Sequence, residues 1–435
     1  MTTASLLRDR LLDLLLKGYT FADELRTGSD DPRAGSRVRL RLLGDDALLV
    51  RGRAGVDLFY DTGRVRREGA LPGFVKGGLF GEGSVHGLDD ESHRHRKEMF
   101  IRSSAAPGRL EELLTDTSTE WEDTIRRRWL TDSSSASVYD TAVEVYGRSL
   151  LRWAGLDLPR GTATQIARDE AAIVDGFAVA GPAWVQMMIK RRRCDDFFAE
   201  QVRAARAGEL APPPGSSFAL VLEHRDLDGA PLDDRTAAVE LQNSFRPGIA
   251  VARFAAFLAL AMHRHPQWRE RIHSETLERG TTIGGPLATA VAEEVRRFYP
   301  FVPLLPAVAR QDLTFEGEHL AKGQRLLIDI YGTNRDERHW ERPEQFDPTR
   351  FLDTGEVFAD YFVPQGGGEV ETGHRCPGEA VTVGLLAQTA AELSRLDARV
   401  ARDGLGYSLR RMPTKPRNGV LLSEVALRPS GVRSP

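Results

Sequence analysis

The sequence has 435 residues, of which 41% are hydrophobic and 28% are charged, a balance typical of a soluble globular protein. Its 59 basic and 63 acidic side chains give a formal net charge of -4. This charge argues against a polyanion such as nucleic acid as a partner. The short basic runs at 126–128 and 190–193 contain no interleaved aromatic residues, and we interpret them as solvated helix faces.

The N-terminal segment is rich in leucine but is interrupted by Arg8, Arg10 and Asp13. It therefore fits neither the apolar core of a signal peptide nor a membrane span. The longest later apolar run, 254–262, is too short to cross a bilayer. The cysteines, Cys194 and Cys376, are far apart, which argues against a disulfide framework or a multi-cysteine zinc site. We expect a cytoplasmic protein.

Most of the predicted elements are helices. Apolar residues at three- and four-residue spacing predict helices over residues 110–130, 143–153, 235–263 and 287–298. Shorter strand-like stretches lie at 38–43, 47–50, 312–315 and 325–330. Loop compositions occur at 131–137, at 211–217 and in the Pro/Arg-rich tail. Since no repeat or long linker divides the chain, we predict one mainly α domain with small β-sheets over residues 1–435, with a flexible tail from about residue 429.

Residues 364–379, PQGGGEVETGHRCPGE, surround Cys376 with glycines and are followed by a helical pattern. Glycines allow close backbone approach, exposed N–H groups can donate to a sulfur, and a helix N-terminus favours an anion. The loop is thus suited to holding a thiolate against a flat ligand. A lone cysteine is more often a small buried hydrophobe, so this segment by itself leaves a structural role open.

Two further motifs precede the cysteine loop. Glu294 and Arg297 form an E-x-x-R pair that shares one helix face, followed by Tyr299-Pro300. Most pairs of this kind are solvated surface bridges. An F-x-P-x-R-F segment follows at 346–351 and contains Arg350.

In this order, the E-x-x-R pair, the F-x-P-x-R-F segment and the cysteine loop resemble the cytochrome P-450, or haem-thiolate, superfamily over residues 290–380. The resemblance implies a cytochrome P-450 fold with haem b between a long central helix and the cysteine loop. Cys376 would be the axial iron ligand. Glu294, Arg297 and Arg350 would form a buried cluster on the cysteine side of the haem.

The segment 89–100, DDESHRHRKEMF, resembles the superfamily helix whose basic residues hold the haem propionates. His93 and Lys97 lie four residues apart on one face, as this task requires. Without the other motifs, the segment would be interpreted as a hydrophilic surface helix. With them, we expect His93 and Lys97 to bind the haem.

The predicted central helix departs from ordinary monooxygenases of the superfamily because it lacks their acid-threonine pair. It reads LQNSFRPGIAVARF, so Pro247 should kink it and Arg246 should lie in an apolar pocket. A buried cation is costly without an anionic partner. No acidic residue lies within one turn of Arg246, so we assign it the carboxylate of the substrate. The alternative is an arginine that reaches water at the helix end.

The Arg-Pro pair and the extended cysteine loop resemble the bacterial fatty-acid peroxygenase family, which includes hydroxylases and alkene-forming decarboxylases. The segment 79–89, LFGEGSVHGLD, resembles that family's loop over the distal haem face. Phe80, His86 and Pro247 would then contact the substrate beside Arg246. By itself, a loop histidine is more often a surface residue. An imidazole here would exchange a proton near neutral pH and influence the choice of product.

The resemblance implies oxidation of long-chain fatty acids at the alpha and beta carbons with hydrogen peroxide as oxidant. The products would be hydroxy fatty acids and, by oxidative decarboxylation, terminal alkenes. Arg246 would hold the carboxylate bidentately, and the carboxylate would replace the missing acid-threonine pair as proton shuttle. No redox partner would be required. The alternatives are a reductase-dependent haem-thiolate monooxygenase and a haem-containing fatty-acid binding protein without turnover.

Overall fold

A computed structural model describes residues 8–131, 135–176, 181–352 and 360–429. The expected flexible tail lies almost entirely outside these residues, as does the middle of the 131–137 loop. The α-helices within the described residues are α1 (Leu11–Lys17), α2 (Phe21–Thr27), α3 (Gly52–Tyr60), α4 (Gly73–Leu79), α5 (Asp90–Ala105), α6 (Arg109–Thr124), α7 (Val138–Trp153), α8 (Arg160–Gly176), α9 (Pro182–Arg206), α10 (Ser217–Glu223), α11 (Asp234–Ala250), α12 (Ala252–Arg264), α13 (Pro266–Arg279), α14 (Pro286–Phe298), α15 (Ile330–Thr333) and α16 (Glu379–Ser394).

The described strands form two small sheets and a hairpin. They are β1 (Arg37–Leu42), β2 (Asp45–Val50), β3 (Val65–Arg66), β4 (Ala136–Ser137), β5 (Leu304–Ala309), β6 (Leu313–Phe315), β7 (Glu318–Leu320), β8 (Arg325–Asp329), β9 (Leu396–Val400) and β10 (Leu421–Leu427). The larger sheet has the order β1-β2-β8-β5-β3, and the smaller has the order β4-β10-β9. The β2–β8 pair is parallel, with Leu49 opposite Leu327, and the other pairs are antiparallel.

The elements predicted from periodicity are present in the structure. The predicted helices correspond to α6 with its π-helical extension Ile125–Trp129, to α7, to α11 with α12, and to α14. The predicted strands correspond to β1, β2, β6 and β8. Helix α7 begins at Val138, five residues before the predicted start, because the Ser137 hydroxyl accepts the Asp140 N–H at 3.2 Å and caps the helix.

The predicted central helix is divided into α11 and α12. Pro247 lies inside α11, and the break follows one turn later at Val251, whose N–H donates to Gly248 O at 3.2 Å. Pro247 itself removes the hydrogen bond to Asn243 O, one turn before it, and its ring crowds that carbonyl. By length and composition alone, the stretch Asp234–Arg264 could cross a membrane. However, 94% of its most apolar 18-residue segment is buried in the protein. That burial is typical of a core helix.

Helices α6, α7, α11, α12, α14 and α16 supply most of the large apolar core. A second apolar core lies between the larger sheet and α3. The cysteine loop, residues 364–378, leads directly into α16. This arrangement brings the loop and α11 to the same cavity.

Candidate active site

A cavity of about 710 Å³ is lined by residues of α11 and of the cysteine loop, among others. Its volume lies within the range of about 300–1,000 Å³ that is usual for ligand and cofactor sites. Cys376, Arg246 and His86 all line it, together with many leucine, valine, phenylalanine and proline side chains. The cavity reaches Leu15 and Trp184, which are both exposed at the protein surface. An apolar channel therefore leads from the surface to a cysteine and a cation.

Cys376 is held at the end of the cysteine loop, just before α16. Its own N–H donates to Gln365 O at 3.1 Å, and its side chain lines the cavity. Burial raises the pKa of the Cys376 thiol, whereas the backbone N–H of Gly378 opposes that shift. A metal cation that binds the sulfur would displace its proton.

The glycines of the cysteine loop pack against the protein. Gly366 has φ of +100°, and a Cβ on Gly367 would come within 2.9 Å of Val56 Cγ1 and 3.1 Å of Tyr60 Cδ2. Both neighbouring side chains belong to α3. The sequence suggested that glycines allow the loop to approach a flat ligand, but at these positions they allow it to approach α3.

The E-x-x-R pair is a buried ion pair. Arg297 donates from Nε and Nη2 to the two carboxylate oxygens of Glu294 at 2.7 and 2.8 Å, and neither side chain is exposed. Burial raises the pKa of Glu294, and Arg297 opposes this shift. Arg350 Nε lies 3.9 Å from Glu294 Oε1. The structure thus brings together the three residues that the sequence predicted as one cluster.

His93 and Lys97 lie beside the cysteine loop. Lys97 Nζ donates to Gly373 O at 2.6 Å and to Arg375 O at 2.7 Å, and burial lowers its pKa to about 8. His93 stacks on His374 with ring centroids 4.0 Å apart, and burial lowers its pKa to about 3. The basic face of α5 is therefore buried against the loop. Its contact with haem propionates stays a prediction.

Arg67 is a further, half-buried cation in this region, and the sequence reasoning missed it. Its guanidinium lies 3.9 Å above the Phe59 ring, and its Nη1 is buried without a hydrogen-bond partner among the described residues. Its backbone N–H donates to Asp89, which also lies 3.2 Å from His374 Nε2. Burial lowers the pKa of Arg67 to about 10, so the side chain remains charged at neutral pH.

Arg246 is buried, and it has an acidic partner that the sequence did not indicate. Its Nε donates at 2.5 Å to Oε2 of Glu170, which lies on α8. Its Nη1 donates to Leu79 O at 2.8 Å and to Asn243 Oδ1 at 3.0 Å, and its Nη2 donates to Gln242 Oε1 at 3.0 Å. The expectation that Arg246 lacks a carboxylate partner is therefore wrong, although no such partner lies on its own helix.

Four N–H donations of Arg246 thus go to protein acceptors. A guanidinium has five N–H groups, so one on Nη2 has no acceptor among the described residues. Arg246 also lines the cavity, as does Pro247. A ligand carboxylate would meet one uncommitted N–H there, and a bidentate grip would require a protein acceptor to move.

Phe80 and His86 form a stacked pair on the cavity wall, with ring centroids 4.1 Å apart. Desolvation, followed by the positive charge of Arg246, lowers the pKa of His86. Its side chain is open to the cavity. Proton exchange by this imidazole near neutral pH stays a prediction, and the positive charge of Arg246 opposes it.

Glu170 was also missed by sequence reasoning, although its helix carried a signal. Ala167, Ile173 and Glu170 are all buried at three-residue spacing on α8. A carboxylate on the apolar face of a helix indicates a buried charge that needs a partner. No comparable local pattern marked Arg67, which follows the two-residue strand β3.

A model of the family described as "Cytochrome P450" matches residues 252–382. The structure of a variant of cytochrome P450 OleT in complex with arachidonic acid superposes with a TM-score of 0.89 at 31% identity, covering 98% of both chains. Cytochrome P450SP alpha (CYP152B1), in complex with (R)-ibuprophen, gives a TM-score of 0.87 at 32% identity, covering 97% of this chain and 99% of the other. The chain is also 34% identical over 108 residues to tabersonine/lochnericine 19-hydroxylase of Catharanthus roseus, a match that spans 20% of that protein.

The residues at the cavity fit the haem that this family binds. Haem iron bound through a cysteine needs that sulfur at the cavity wall, and the anionic propionates need nearby cations. Cys376 lines the cavity, and half-buried Arg67 has a buried Nη1 without a hydrogen-bond partner among the described residues. The chain therefore belongs to the cytochrome P450 family, as a haem-thiolate oxidoreductase in the bacterial fatty-acid peroxygenase group that includes OleT and P450SP alpha.

Proposed function

We propose that this chain uses hydrogen peroxide to oxidise long-chain fatty acids at the alpha and beta carbons. The products are hydroxy fatty acids and, by oxidative decarboxylation, terminal alkenes. The observation that carries this proposal is the placement of Arg246 and Cys376 on one apolar cavity. An alkyl chain would occupy the apolar walls while the guanidinium of Arg246 binds the carboxylate.

The protein's own part in the reaction is to position the acid and supply a route for a proton. Cys376 would bind the iron of haem b, and His93 and Lys97 would hold its propionates; when bound, the haem would supply the activation of peroxide. Arg246 holds the substrate carboxylate, whose oxygen can accept and return the peroxide proton. Because the carboxylate is anchored by Arg246, only the nearest carbons, alpha and beta, reach the reacting position.

The residues of α11 near the cavity support this use of the substrate as acid-base group. Among the described residues of that helix, the buried carboxylate is Glu240, which is already bound by Arg96 Nη1 at 3.1 Å, by the Val85 N–H at 2.7 Å and by Asn243 Nδ2 at 3.1 Å. Glu240 does not line the cavity. The substrate carboxylate takes the place of a protein proton donor.

The test is peroxide-dependent product formation by the purified holoprotein with myristic or palmitic acid and no reductase. Hydroxy acids and a terminal alkene one carbon shorter than the substrate are the expected products. Turnover only with a reductase would identify an ordinary monooxygenase, and binding without turnover would identify a carrier. A soluble cytoplasmic protein that needs no redox partner is part of the same proposal.

His86 is expected to influence the ratio of alkene to hydroxy acid. Glutamine at this position keeps an N–H donor but removes the ring that stacks on Phe80 at 4.1 Å. The reacting carbons lose a rigid wall, so His86→Gln should lower the alkene fraction while turnover remains measurable. A barrier difference of about 1.4 kcal/mol is enough for a tenfold change in that ratio.

Gas chromatography at matched conversion measures the ratio. His95→Gln is the matched control, because His95 binds Arg225 O outside the cavity and should leave the products unchanged. An identical ratio in His86→Gln and wild type would make His86 a packing residue.

A further inference from the structure

Glu170 is a buried carboxylate with one direct charged partner. It lies on α8, and its Oε2 accepts the Arg246 Nε–H at 2.5 Å, with side-chain exposures of 0% and 3% for the two residues. Its Oε1 is buried and has no hydrogen-bond partner among the described residues. A buried carboxylate is costly unless its charge is compensated. Arg246 supplies that compensation.

The two residues of the pair are placed differently with respect to the cavity. Arg246 lines it, whereas Glu170 is not among the described residues that do. The carboxylate therefore lies behind the guanidinium, on its Nε side. Leu79, Asn243 and Gln242 supply neutral acceptors for Nη1 and Nη2. These contacts together fix the plane of the guanidinium.

A ligand carboxylate in the cavity would also experience the negative charge of Glu170. Charges interact more strongly in a buried site than in water, and the interaction falls only with the first power of distance. Cys194, on the adjacent α9, lies near both charges of this pair. Burial raises the pKa of the Cys194 thiol, the charge of Glu170 raises it further, and the charge of Arg246 opposes the rise.

We propose that Glu170 is a positioning residue that orients Arg246 and weakens its attraction for the carboxylate of the substrate. The inference rests on the proposed function, in which Arg246 binds a fatty acid. A hydroxy fatty acid product keeps its carboxylate, so a fully uncompensated Arg246 would hold the product as well as the substrate. Glu170 limits that affinity and allows the product to leave.

The test uses the holoenzyme with Glu170→Gln, which keeps the size of the side chain and an oxygen acceptor for Arg246 Nε but removes the charge. Calorimetry gives the Kd of palmitic acid and of 1-hexadecanol, a neutral ligand with the same chain length. We expect the Kd of the acid to fall by roughly tenfold, as the removal of one buried like charge implies, and the Kd of the alcohol to stay unchanged. Both KM and kcat for the acid should fall, because product release slows.

Three control variants separate charge from packing. Glu170→Asp keeps the charge and should retain the wild-type ratio of acid to alcohol affinity. Asp169→Asn removes the neighbouring buried charge, which pairs with Lys190 and Arg193, and should also retain that ratio. Glu170→Ser is a second neutral variant with the same expected result as Glu170→Gln.

Two negative outcomes are distinguishable. In the first outcome, wild type binds the acid more tightly than the alcohol, but the neutral variants leave both Kd values unchanged or change both by the same factor. This result would overturn the role of Glu170 and leave the proposed function standing. If wild type shows no preference for the acid, the carboxylate-binding role of Arg246 fails, and the role of Glu170 fails with it.

Discussion

A Cys376→Ser variant is expected to lose the strongly red-shifted absorption that a thiolate-bound ferrous haem shows after addition of carbon monoxide. Serine lacks the electron-donating sulfur that favours O–O cleavage. Peroxide-dependent oxidation of fatty acids should therefore fall to the level of the protein-free reaction. The measurement is an absorption spectrum of the reduced, carbon monoxide-treated protein at equal haem content, together with product analysis.

Cys194→Ser is the matched control for this experiment. Cys194 is buried on α9 and does not line the cavity, whereas Cys376 is partly exposed and does line it. It should keep the wild-type spectrum. Retention of the red-shifted band by Cys376→Ser would show that another residue binds the iron.

The parts of the site that could be predicted from sequence are those encoded by local spacing. Glu294 and Arg297 are three residues apart on α14, so the helix itself brings them together. Cys376 stands three residues before the start of α16, and the helical pattern after it is visible in the sequence. In each case one short segment contains both the functional residue and the structure that positions it.

The parts that could not be predicted depend on contacts between distant segments. Arg246 and Glu170 are 76 residues apart and meet only because α8 packs on α11. The pKa of His86 depends on its desolvation at the cavity and on the charge of Arg246, neither of which its own segment reveals. Sequence reasoning could place a cation on α11, but it could not supply the cation's partner or the protonation state of its neighbour.

An Arg246→Ala variant is expected to lose on the order of 100-fold or more in kcat/KM for fatty acids, because the carboxylate loses the cation that binds it in the proposed site. The single substitution also leaves Glu170 as a buried carboxylate without its direct partner, which is destabilising. The double variant Arg246→Ala/Glu170→Gln removes both charges and avoids that penalty. It should fold, bind haem and remain as inactive as the single variant.

Comparison of a free acid with its methyl ester tests the same interaction from the side of the ligand. The ester has neither the charge that Arg246 binds nor an oxygen that can exchange the peroxide proton, so it should be a poor substrate for wild type and equally poor for the double variant. Arg246→Lys keeps a positive charge but loses the planar fork that donates to Leu79, Asn243 and Gln242, and it should recover only part of the activity. If wild type oxidises the ester as fast as the acid, the carboxylate neither anchors the substrate nor carries the proton, and the substrate-assisted reaction must be abandoned.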